Sequence, residues 1–150
     1  MFCNRPGGRK GWHGVSIGVW SYVAVAVGGG IGSALRLGMQ EWMVTQFGRA
    51  FPWGTLGINI LGSLLIGVLA VVLVERFELH PAWRLALVVG VLGGFTTFST
   101  FSLEVVHMLD SGVWARALGY MGASLAGCIL AAAAGLYGAR AVLGAGPVSG

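Results

Sequence analysis

Charge is what this chain has little of. Asp, Glu, Lys and Arg make up 9% of its 150 residues, against about 25% in a soluble domain of ordinary composition. With 56% of the residues hydrophobic, so few charges cannot build a water-facing surface. Cysteine is nearly absent as well. Cys3 lies in a basic tail and Cys128 well inside an apolar stretch, so no disulfide framework is implied. No His, Cys or carboxylate cluster has metal-ligand spacing, and no nucleophile sits with a base and an orienting group, which argues against an enzyme. His80 and His107 fall in connecting segments and read as solvated. The net charge of +4 has no basic stripe long enough for nucleic acid; Lys and Arg flanking a membrane account for it better.

What remains is long and apolar. Four stretches carry almost no charge: 11–39 (interrupted by His13 and Arg36), 50–74, 85–103 and 117–139. Each supplies the roughly 20 residues that cross a hydrocarbon core about 30 Å thick. The expected fold is therefore all-α, with four transmembrane helices in a multi-pass protein of the cell membrane, surrounded by lipid. The first run exceeds the ~7–15 apolar residues of a signal sequence, so it reads as a retained helix. Residues 1–14 are expected to form a disordered basic tail, 15–143 the transmembrane domain and 144–150 a small-residue tail. Short connections, 40–49, 75–84 and 107–116, join the spans. Trp12, Trp42, Trp53, Trp83 and Trp114 mark the span ends as an aromatic belt, with Trp20 alone placed inside a span. Four spans put both termini on one side. Arg5, Arg9, Lys10, Arg76, Arg84 and Arg140 then face Arg36, Arg49 and Arg116. Without the tail the two sides balance, so the charge bias instructs orientation weakly. Oppositely inserted copies could pair as an antiparallel dimer; alternatively the tail fixes one orientation.

Polar and small residues inside the spans carry the functional information. Gly28, Gly29, Gly30, Gly32 and Ser33 resemble a dinucleotide-binding turn only superficially, because no acidic residue follows at the required distance. Glycines at helical spacing instead let neighbouring helices approach closely. Asn59, Gly62, Ser63, Ile66 and Gly67 share one face of the second span. Asn59 there is either a helix-to-helix hydrogen bond or an N–H donor aimed at an anion. The third span holds Gly93, Gly94, Phe95, Thr96, Thr97, Phe98, Ser99, Thr100, Phe101, Ser102 and then Glu104. Its Gly-Gly pair invites an unwound turn, whose carbonyls must be satisfied by protein, water or an ion. Hydroxyls beyond it offer O–H donors in a low dielectric. Phe98 and Phe101, about 4.5 Å apart along the axis, can present positive ring edges to an anion without a fixed cation that would trap it. In the fourth span Tyr120, Ser124 and Cys128 recur every four residues. Gly119, Ala123 and Gly127 lie beside them, small enough for tight packing. Glu104, at the end of its span, is the one acidic residue at possible membrane depth.

Three runs resemble the fluoride-specific ion channel family of bacteria: Gly29 to Arg36 (Gly-Gly-x-Gly-Ser-x-x-Arg), Gly54 to Ser63 (Gly-Thr-Leu-x-x-Asn-x-x-Gly-Ser), and the whole of Gly93 to Glu104. The resemblance covers about 15–140, and the third run is highly specific. It implies an antiparallel dual-topology homodimer with two fluoride pores and a central structural sodium ion. The backbone carbonyls of Gly93 and Thr96 would hold the sodium. Asn59, Phe98 and Phe101 would line the fluoride path, with Ser99, Thr100, Tyr120 and Ser124 as further donors. The implied function is passive fluoride export that relieves fluoride toxicity, with no organic cofactor. Leu37 stands where an aromatic often follows the motif Arg, and the basic tail is longer than the family's. Two other classes compete. A proton-coupled small transporter needs a deep acid, for which Glu104 is poorly placed. A structural membrane scaffold gives no reason for hydroxyls and Asn at mid-membrane.

Overall fold

The computed structural model describes residues 18–76 and 81–144. The basic tail with Cys3 and Trp12, His80 and residues 145–150 lie outside them. Four helical spans are long and apolar enough to cross a membrane: Val19–Phe47, Trp53–Leu73, Ala82–Asp110 and Trp114–Leu143. The first is a single helix, α1 (Val19–Phe47). The second begins as α2 (Trp53–Ala70) and loosens into wide π turns over Val71–Arg76. The third is assembled from α3 (Pro81–Arg84), a π-wound segment Leu85–Leu92, α4 (Gly93–Phe95) and α5 (Phe98–Asp110). The fourth is again continuous, α6 (Trp114–Leu143).

Hydropathy marks contact with lipid, whereas the helix itself continues wherever the backbone keeps its bonds. So α1 runs through most of the expected connection at 40–49. It stops only at Gly48, whose φ of 74° turns the chain and whose N–H returns to the Val44 carbonyl at 2.9 Å. Trp20 stands in the first turn of α1, 81% exposed, within the span Val19–Phe47 as expected.

Close crossings at glycine set the packing. On α1, Gly28 and Gly32 are buried, and a Cβ at either would strike the carbonyl oxygen of Ala86 or Val91. Gly90 and Gly94 reciprocate by lying against the α1 backbone at Gly28 and Gly29. A second crossing joins α2 to α6, where Gly67 meets Ala132 and Leu136 while Gly135 meets Leu64 and Val68. With no hydrophobic force between helices in lipid, such backbone-to-backbone contact supplies the dispersion energy of association. The glycine run 28–33 is helical throughout, which removes any dinucleotide turn. Of the small residues beside the polar stripe of α6, Gly127 packs inside the chain, against Ile60, while Gly119 and Ala123 lie on its outer surface. Outward faces are apolar, as in Val23, Val27, Ile31 and Leu35 along α1.

The third span breaks, but not at its glycines. Gly93 has φ −63° and ψ −35°, ordinary helix. Thr96 (ψ 156°) and Thr97 (φ −150°, ψ 108°) are the extended residues. Gly94 owes its identity to the α1 crossing instead.

Replacing Gly32 with Ala puts a methyl onto the Val91 carbonyl and should cost about 2 kcal/mol or more, lowering the thermal stability of detergent-purified protein. Gly30→Ala, where nothing lies within 4 Å, should leave it unchanged.

Candidate functional site

Breaking a helix at membrane depth frees backbone groups that lipid cannot satisfy. Asn59 of α2 meets this need with both ends of its amide. Its Oδ1 accepts from the Thr97 N–H at 2.9 Å, and its Nδ2 donates to the Thr97 carbonyl at 3.0 Å. Thr96 keeps its N–H and its Oγ1 on the Leu92 carbonyl, at 2.9 and 3.0 Å. The Thr97 hydroxyl then caps α5, accepting from the Thr100 N–H at 3.2 Å and donating to Thr100 Oγ1 at 2.8 Å. Because the Thr97 N–H goes to Asn59, the Gly93 carbonyl, its partner in an unbroken helix, is released.

Beside the break lies a cavity of about 450 Å³, walled by Asn59, Gly62, Ser63, Gly93, Thr96, Thr97, Phe98, Phe101, Ser124 and Cys128 together with aliphatic side chains. Its polar lining is uncharged. Ser124 Oγ is buried and makes no hydrogen bond among the described residues. The cavity opens at the surface of the chain, where Phe98 is 79% exposed and Gly93 and Ser99 are also exposed.

From this cavity an aromatic column leads towards the connections at 48–52 and 111–113. Phe98 and Phe101 have ring centroids 5.5 Å apart at 43°, Phe101 and Tyr120 5.1 Å at 56°, and Phe51 meets Tyr120 edge-on at 5.4 Å and 81°. Tyr120 is fully buried and donates to Glu104 Oε2 at 2.7 Å. Thr55 Oγ1 donates to Glu104 Oε1 at 2.8 Å, so both carboxylate oxygens hold a hydroxyl. Glu104 and Thr55 also form the floor of a second cavity, about 500 Å³, whose rim includes Arg49, His107, Ser111 and Arg116.

The structure brings Asn59, Gly93, Thr96, Phe98, Phe101 and Ser124 together around one cavity. Tyr120 lies behind Phe101, between the two cavities, while Ser99 and Thr100 stand outside the lining and beside Thr97, with Ser99 Oγ 3.4 Å from Thr97 Oγ1. Two residues inside the quoted sequence runs were given no role of their own. Thr97 lies at the break and caps α5, and Thr55 holds Glu104. The signal for Thr55 was its place four residues before Asn59, on the same α2 face. Glu104, near the end of its span, is half-buried and partnered on both oxygens, one of the alternatives open to an acid at that depth.

Four apolar spans, the third with a backbone break held by a half-buried amide beside a cavity, define a multi-pass membrane protein. The family profile described as CrcB-like protein, Camphor Resistance (CrcB), matches residues 23–136, and the chain belongs to this family. Among curated relatives, the fluoride-specific ion channel FluC of Chloroflexus aurantiacus is 46% identical over 114 residues, 76% of this chain and 90% of that protein. FluC of Magnetococcus marinus is 44% identical over 118 residues, 79% and 96% of the two chains. FluC of Stutzerimonas stutzeri is 46% identical over 117 residues, 78% and 94%.

Asn59→Leu removes both partners of Thr97 and leaves two backbone groups unpaired at depth, each worth about 1–3 kcal/mol. The variant should therefore lose thermal stability in detergent.

Proposed function

We propose that this chain forms a fluoride-selective ion channel, not an enzyme, and that it lets fluoride leave the cell passively and so relieves its toxicity. The observation that carries the reading is the uncharged donor set beside the break. Asn59, Ser124 and the rings of Phe98 and Phe101 converge on one cavity with no fixed cation among its lining residues. A strongly hydrated small anion gives up water only for O–H, N–H and ring-edge donors. A lysine or arginine there would bind it too long to conduct. The FluC relatives carry fluoride specificity in their names, and the region matched by the family profile, 23–136, spans these residues. Ser99, Thr100 and Tyr120 are further donors in this reading, the first two beside Thr97 outside the cavity lining and the third behind Phe101 with its hydroxyl on Glu104.

The working unit in this reading is an antiparallel homodimer with two pores. Its support is that polar backbone and Phe98 face outward at mid-depth, where lipid gives no partner and a second copy does. Outside the basic tail the Arg residues balance three against three between the two sides, which permits both insertions. A structural sodium ion fits the same place. The released Gly93 carbonyl and the extended Thr96 beside it are hard oxygen donors of the kind such a cation takes. When bound, the ion would neutralise carbonyl charge and lend positive potential to the neighbouring anion paths.

Protein reconstituted in liposomes should release fluoride without added energy and release little chloride; release that depends on a proton gradient would point to an exporter instead. Phe101→Ile should preserve the fold and cut fluoride flux about tenfold or more, roughly 1.4 kcal/mol on the permeation barrier, as read with a fluoride electrode. Ser111→Cys, exposed in the turn between α5 and α6, should be labelled by an impermeant thiol reagent from both sides of the membrane in comparable amounts. One-sided labelling of conducting protein would rule out the antiparallel pair.

A further inference from the structure

Four helix ends meet at the second cavity, and their dipoles offset one another. The α2 and α6 N-termini, at Trp53 and Trp114, stand beside the α1 and α5 C-termini, at Phe47 and Asp110. The sign of the field at this mouth is therefore left to side chains. Among the charged lining residues Arg49 and Arg116 hold the rim with two positive charges against the single carboxylate of Glu104, whose hydrogen bonds from the neutral hydroxyls of Thr55 and Tyr120 leave its charge in place, so the balance at the rim is positive. Glu41 and Asp110 lie outside the lining. Arg116 occupies the first turn of α6, where a cation opposes the helix dipole. Its Nη1 donates to the Ala50 carbonyl at 3.2 Å, which draws the guanidinium across the mouth to the connection at 48–52 instead of leaving it to reach outward to lipid headgroups. Arg49 makes no ion pair among the described residues.

We propose that Arg49 and Arg116 form an electrostatic collector that concentrates small monovalent anions at the pore mouth, ahead of the uncharged donors that select among them. This deepens the channel reading and rests on it. Two functions that conflict in one place are thereby separated in space. Positive charge at the rim speeds arrival, and its absence from the inner cavity avoids trapping. Both guanidinium groups are exposed, so the effect must be screened by salt.

The test measures fluoride flux through the intact protein in liposomes at constant fluoride, with ionic strength raised by an impermeant salt. A unit charge acting through water at about 10 Å changes local anion concentration roughly twofold. Arg49→Gln and Arg116→Gln should therefore each halve the flux at about 0.01 M ionic strength, and together cut it about fourfold. All three should converge on the unsubstituted protein near 1 M, where the screening length falls to about 3 Å. Arg116→Lys keeps the charge and should keep the flux. A loss that persists at high salt, no loss at low salt, or an Arg116→Lys variant as impaired as Arg116→Gln would each overturn the collector. Absence of fluoride flux from the unsubstituted protein would instead defeat the channel reading on which it rests.

Discussion

Every polar backbone group released inside the bilayer must find a partner in the protein, and the rest of this structure follows from that requirement at Thr97. A side-chain amide is among the few groups that can satisfy an N–H and a carbonyl of one residue at once, and Asn59 does both. The pairing fixes α2 in register with the third span. One turn away Thr55 reaches Glu104, and on the other side Gly62 makes room for the Thr96 methyl. Thr55, Asn59 and Gly62 thus form one stripe at helical spacing that seats the broken span along its length.

The glycines complement this stripe. Crossings at Gly28, Gly32, Gly90 and Gly94, and at Gly67 and Gly135, bring backbones close enough that four helices with very few fully buried large side chains hold together. Charge is arranged with the same economy: the inner cavity has none, and the arginines stay at the rim.

Much of this was legible in the sequence because lipid imposes simple rules. Long uncharged stretches gave four spans, and small residues four apart gave the α1 crossing. The hydroxyl-rich third span announced a break. Its position was misread because glycine is the expected breaker, yet Gly93 is helical and Gly94 is spent on the crossing to Gly29. What breaks the helix is a tertiary partner, Asn59, and a partner 38 residues away leaves no local mark on Thr96 and Thr97. Thr55 escaped notice for the same reason, since its role depends on Glu104, 49 residues on. The face of α6 was half-read. Tyr120 and Ser124 are buried as their spacing suggested, but periodicity alone could not say that Gly119 and Ala123 would face outward.

A consequence follows for biogenesis. Before α2 has docked, the third span lies in lipid with nothing to take the Thr97 N–H and carbonyl, each costing several kcal/mol if left unpaired. At that stage the unbroken helix is the state of lower energy. The extended pair at Thr96 and Thr97 is therefore acquired during helix association, when the Asn59 amide arrives and exchanges its own unsatisfied groups for theirs. Insertion and shaping of the cavity are separate events, and a chain that has reached the bilayer with all four spans in place has still to unwind one of them.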